Sequence, residues 1–190
     1  MSYAAEIRHY VSTIPLNQIL STREVLHLGT RAAVDLTLSR LVRAAALIRL
    51  APGIFLRGGS VMPPAIAIVQ AKAAAFGRSI ASHGSVLAQR FGLIDERQFQ
   101  SIFCIGGGSS SFSSIYEQTR FIGTCDRKRY LEESLEGQMI RAFWHLGREV
   151  FESIAHELMG LLTATEQARV ARQAAWMPAW MSDKFIRARS

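Results

Sequence analysis

The stretch from Ser21 to Arg57, STREVLHLGTRAAVDLTLSRLVRAAALIRLAPGIFLR, constrains the fold more than any other part of the chain. Its first four residues form a capping box, in which the Ser21 hydroxyl accepts from the third backbone N–H of a helix and Glu24 reaches back to the cap. Gly29 suits the C-terminal end of that short helix, and Thr30 supplies the hydroxyl cap of the next. On this second helix, expected to run to about Ala45, Val34, Leu38, Leu41 and Val42 recur at helical spacing and share one apolar face. Two short runs, Leu47 to Leu50 and Ile54 to Arg57, then flank Ala51-Pro52-Gly53, the residues of a hairpin turn.

Two helices around a tight glycine turn, followed by a hairpin, are the parts of a winged helix-turn-helix. Upstream, Ser2 to Val11 reads as helix, Pro15 as its stop, and Leu16 to Leu20 as a brief extended segment. GGSVMPP, Gly58 to Pro64, is the strongest punctuation in the chain. The sequence therefore predicts an α+β fold: a winged helix-turn-helix over residues 1–60, then a mixed α/β domain over residues 61–190 ending in helices. In that second part the expected helices are Pro64 to Phe76, Ser85 to Phe91, Ser134 to Leu146, Arg148 to Leu162 and Thr165 to Ala175. The expected strands are Arg78 to Ser82, Phe99 to Ile105, Ser111 to Glu117 and Thr119 to Gly123.

Charge narrows the function. The net charge of +7 rests on 19 Arg and 3 Lys, and arginine's planar fork suits phosphate oxygens and guanine edges. Residues 1–60 carry seven Arg against Glu6, Glu24 and Asp35, a balance of +4. On the second helix the face opposite the apolar one presents Ala32, Ala33, Leu36, Ser39, Arg40 and Arg43, with Thr30 and Arg31 at its leading edge. A helix entering the major groove contacts bases through its first turns. Arg31 is then placed for a base or a phosphate, Ala32, Ala33 and Leu36 for thymine methyls, and Arg40 and Arg43 for backbone phosphates, with Ser39 a DNA-binding candidate on the same face. Arg49 and Arg57 are the corresponding residues of a DNA-contacting wing. The plainer alternative is that these arginines solubilise a protein-docking module.

Other patterns lack the partners that chemistry needs. Cys104 and Cys125 stand apart, outside any CxxC or Cys/His cluster, and read as small core residues. His156 in AHELMG has Gly160 where a zinc-protease helix needs its second histidine. GGGSS lacks the lysine and helix of a phosphate-binding loop. Ser85, two residues after His83, is not in a nucleophile elbow and reads as a helix cap. Trp144, Trp176, Trp180, Met177 and Met181 read as core, and Arg127 to Arg129 as a solvated basic loop. No catalytic residue, cofactor or metal is expected. No apolar run is long enough for a membrane span, and MSYAAEIRHYVSTIP is unlike a signal peptide, so a cytoplasmic protein is expected.

The segment Leu20 to Arg57 also resembles the N-terminal winged helix of AbiEi-type antitoxins of bacterial type IV toxin–antitoxin and abortive-infection loci. Gly29-Thr30-Arg31-Ala32-Ala33-Val34-Asp35 is similar to the start of that family's pattern. Leu38-Ser39-Arg40-Leu41-Val42 is similar to its core, and Arg49-Leu50-Ala51 with Gly53-Ile54 to its wing. Pro52 stands where relatives often carry a basic residue. Weaker similarity runs through SIASHGSVLAQRFGL, GQMIRAFWHLG and PAWM. The resemblance implies a phage-defence antitoxin without enzymatic activity that binds promoter inverted repeats as two copies and represses its own operon. It further implies that the protein counters a nucleotidyltransferase-like toxin without requiring a tight complex. The competing reading is a winged-helix transcriptional regulator whose C-terminal domain senses a ligand, and a third is an enzyme that uses the winged helix to dock.

Overall fold

The first helix, α1 (Tyr3–Thr13), begins where the Ser2 hydroxyl accepts from the Ala5 amide, and it buries Ile7 and Val11 one turn apart. The structure is a computed structural model describing residues 2–95, 101–131 and 133–187. After α1 come β1 (Ile19–Ser21), a 3₁₀ helix (Thr22–Leu28), α2 (Arg31–Arg43), β2 (Leu47–Ala51), β3 (Ile54–Arg57) and α3 (Ala65–Ala74). The Ser21 capping box is formed, with Glu24 Oε1 accepting from the Ser21 amide at 2.7 Å. The helix it opens is 3₁₀. Strands β1, β3 and β2 lie in that order in an antiparallel open sheet. Ile7, Val11, Leu20, Val25, Val34, Leu38, Leu47 and Phe55 close the core between helices and sheet, with Leu41 and Val42 packed at its margin. The apolar face expected of α2 is therefore the buried one.

The remaining elements are β4 (Ile80–Ser82), α4 (Gly84–Arg90), β5 (Ser101–Ile105), β6 (Ser110–Ser113), β7 (Gln118–Gly123), α5 (Asp126–Tyr130), α6 (Leu135–Leu146), α7 (Arg148–Leu161), α8 (Ala164–Arg172) and α9 (Ala179–Arg187). The second sheet, also open, has the order β4-β5-β7-β6. The chain is thus a mixture of helices and antiparallel-containing sheets that ends in helices. The helical core gathers Ile140, Phe143, Phe151, Val170, Met177, Met181 and Phe185. Phe151 anchors it, with ring centroids of Phe143, Trp180 and Phe185 at 5.3, 5.5 and 5.6 Å. Among the described residues, no helix is long and apolar enough to cross a membrane.

Several sequence expectations are corrected. The chain divides into residues 1–79 with 111–119, and residues 80–110 with 120–190, rather than at Ser60. The reason is α3: Ile68, Val69 and Ala73 are buried, and the helix packs back on the first sheet. Residues 111–119 join the same unit through the Ile115 amide on the Leu50 carbonyl (2.9 Å) and the Tyr116 hydroxyl on the Pro63 carbonyl (3.0 Å). Arg127 to Arg129 belong to the short helix α5 rather than to a loop. The tail holds α9, whose Met181 and Phe185 are buried four residues apart. Cys104 is buried as expected, whereas Cys125 is exposed at the start of α5. Of the tryptophans and methionines assigned to core, Met177 and Met181 are buried but Trp176 is exposed. The expected start of β5 at Phe99 and the Glu157 side chain lie outside the described residues.

Candidate nucleic-acid interface

Helix α2 starts where the Thr30 hydroxyl accepts from the Ala33 amide at 3.3 Å, so this hydroxyl caps the helix. At about 100° per residue, burying Val34 and Leu38 turns the positions between Arg31 and Arg40 outward. Ala32, Leu36, Arg40 and Arg43 are exposed, while Ala33 and Ser39 are half-buried. Leu36 shows half its surface, an apolar side chain in the middle of a cationic arc. Thr37 is also buried, and its hydroxyl donates to the Ala33 carbonyl at 2.7 Å.

The arginines differ in commitment. Arg31 Nε meets Asp35 Oδ2 at 2.8 Å in an exposed pair one turn apart, an interaction worth about 0.3–0.5 kcal/mol and readily exchanged. Among the described residues, no carboxylate lies within ion-pair distance of Arg40, Arg43 or Arg49. Arg49 reaches from β2 to the neighbouring strand β3, with its guanidinium 5.5 Å from the Phe55 ring centroid. Arg57 is a different case: half-buried, it donates to the Ile14 carbonyl at 2.8 Å and ties β3 to the end of α1. Its guanidinium is occupied by the backbone, which argues against the wing contact expected of it.

Between α2 and the hairpin runs a groove lined by Arg31, Asp35, Ser39, Arg49, Pro52 and Phe55. The hairpin turn is fixed beside it. Gly53 adopts φ +75°, which favours glycine, and its carbonyl accepts from the Thr22 amide at 2.9 Å. A second cleft, of about 270 Å³, shares Thr22, Arg31, Pro52 and Gly53 with this groove and continues to Arg23, Lys72 and Phe76. Sequence reasoning missed Arg23 and Lys72, because the cleft joins three segments far apart in the chain.

In the second unit the most perturbed titratable group is His83. Its Nδ1 accepts from the Ser85 amide at 3.3 Å and lies 2.8 Å from the Ser85 hydroxyl. His83 is therefore the cap of α4, the role expected of Ser85, and Ser85 itself is buried. Burial, and then the neighbouring His145, push the His83 pKa down to about 4. The Ser85 hydroxyl therefore faces the imidazole that caps α4. Arg141, almost wholly buried, pairs with Glu133 at 2.6 Å and donates to the Leu131 carbonyl. Among the described residues, no group of three or more His, Cys, Asp or Glu is placed to hold a metal ion.

Compared with protein-family models, with characterised proteins and with solved structures, the chain matches none.

Proposed function

We propose that the protein is a DNA-binding repressor whose N-terminal unit is a winged helix-turn-helix. In this reading α2 is the recognition helix and the β2–β3 hairpin its wing. The observation that carries the proposal is the outer face of α2, where Ala32 and Leu36 lie exposed among Arg31, Arg40 and Arg43. Small apolar side chains fit thymine methyls, and flanking guanidiniums fit guanine edges and phosphates. The element order and the sheet order β1-β3-β2 support the same reading.

The cellular role proposed is that of a cytoplasmic type IV antitoxin. It represses its own operon and counteracts a nucleotidyltransferase-like toxin without itself catalysing a reaction. Support for this part is the resemblance of Gly29 to Ile54 to AbiEi-type antitoxins. Promoter inverted repeats would seat two copies.

The test is binding to the DNA upstream of the protein's own coding sequence. Arg31→Ala should weaken the operator complex by about 1–3 kcal/mol while changing non-specific binding less. Arg40→Ala should weaken operator and unrelated duplex alike and lower the salt dependence. Parent-like affinity for both variants across a salt series overturns the assigned face. The antitoxin role predicts a nucleotidyltransferase-like toxin encoded next to the protein's gene; co-expression of the full chain with that toxin tests the role, and an absent toxin gene or unrelieved growth arrest counts against it.

A further inference from the structure

We propose that the cleft between the 3₁₀ helix, the hairpin turn and α3 binds a backbone phosphate of duplex DNA, extending the contact beyond α2 and the hairpin. This inference rests on the DNA-binding reading above and adds a site to it. Arg23, Arg31 and Lys72 come from three separate segments and line one cleft, and among the described residues no carboxylate lines it with them. Gathering like charges is unfavourable unless something holds them or neutralises them.

What holds them is Phe76 and the turn. The Arg23 guanidinium sits 4.3 Å over the Phe76 ring, and the Lys72 ammonium lies 5.7 Å from both the Phe76 and the Phe112 rings. Lys72 also donates to the Pro52 carbonyl, which leaves donors of its ammonium for a ligand. These contacts orient Arg23 and Lys72 without cancelling their charge, whereas Arg31 is paired with Asp35. Lys72 is half-buried, and burial lowers its pKa, so the ammonium has lost water without gaining a counter-charge. A phosphodiester oxygen would supply that charge.

Position selects the DNA backbone as the source. Arg31 lines both this cleft and the groove beside α2, as do Thr22, Pro52 and Gly53. A strand followed out of that groove past Arg49 and Arg31 meets Arg23 and Lys72 next. The carboxylates nearby are already engaged: Asp35 by Arg31, and Glu24 by the Ser21 amide.

The experiment measures duplex binding by fluorescence anisotropy over a salt series, using the upstream DNA and an unrelated duplex of equal length. The full-length parent is compared with Arg23→Gln/Lys72→Gln and Lys72→Arg. The double variant should lower the slope of log K against log salt by about 1 and weaken both duplexes by the same factor, roughly tenfold. Lys72→Arg, which keeps the charge, should retain the parent slope. If the double variant fails to fold by circular dichroism, Arg23→Gln decides, because Arg23 is exposed and should still weaken both duplexes equally. A parent that binds DNA, with Arg23 and Lys72 variants indistinguishable from it, overturns this site and leaves the α2 interface standing. A parent that binds neither duplex overturns both.

Discussion

Ala45 shows how one residue sets the geometry between α2 and the hairpin. The Ala45 amide donates to the Val42 carbonyl and the Ala46 amide to the Leu41 carbonyl, both at 3.0 Å. This pair of bonds is a Schellman ending, and the residue it turns on is left-handed, with φ +55°. Glycine is the usual occupant, since the side chain of an L-residue there costs about 1–2 kcal/mol. Ala45→Gly is therefore expected to stabilise the protein by about 0.5–1 kcal/mol, net of the added chain entropy of glycine. A chemical-denaturation midpoint that stays put or falls would contradict the assignment. The sequence reading carried α2 on to about Ala45 because three successive alanines give no stop signal. The stop comes from the bonding pattern. At the same scale, His83 rather than the expected Ser85 caps α4, and Arg57 is held by the distant Ile14 carbonyl; neither arrangement is written in the neighbouring residues.

At the scale of elements, α4 packs tightly against α6. A methyl group on Gly84 would stand 2.4 Å from the Arg141 carbonyl oxygen and 2.5 Å from the His145 Cβ. Backbone lies on one side, so the contact cannot be relieved by turning a side chain. Gly84→Ala should destabilise the protein by about 1–3 kcal/mol through overpacking, even though alanine favours helices. Unfolding curves for Gly84→Ala that overlay the parent's would show that the two helices can separate freely. The elements themselves were largely readable, because capping residues and apolar spacing are local. Thr30, Ser134 and Thr163 each cap the helix that follows. What the residues could not disclose was partnership. Lys72 lies on an apolar helix expected to belong to the second domain, and only packing against the first sheet brings it beside Arg23 and the hairpin turn. The α2 face was readable because it repeats at one spacing; the cleft was not, because it repeats at none. Helices α5 and α9 were not expected; α5 has only 5 residues and carries the three successive cations Arg127, Lys128 and Arg129.

For the whole molecule, stability against pH sums the proton uptake of every group whose pKa differs between folded and unfolded chains. His83 is held neutral down to about pH 4 by burial and then by His145, Lys128 and Arg120. In the unfolded chain it takes up a proton near its ordinary pKa of 6.5. Above pH 6.5 both states carry a neutral ring and His83 has no effect. As pH falls from 6.5 towards 4 only the unfolded state gains the proton, so stability declines, and below about 4 the decline from this residue ends. A shift of this size would be worth about 3 kcal/mol in full, and the partial exposure of the ring reduces that to on the order of 1 kcal/mol. Glu166 extends the acid limb. Hydrogen bonds from Thr163 hold its carboxyl below 4.5, so its contribution is lost as pH drops beneath that value. His83→Asn separates the two, since asparagine also caps helices but does not titrate. Urea midpoints measured between pH 7 and 3 should show a shallower fall for His83→Asn over the upper part of that range and a parent-like fall below about 4. A parent curve already flat between 6.5 and 4 would mean that the ring is hydrated and charges in the folded protein as it does in the unfolded one.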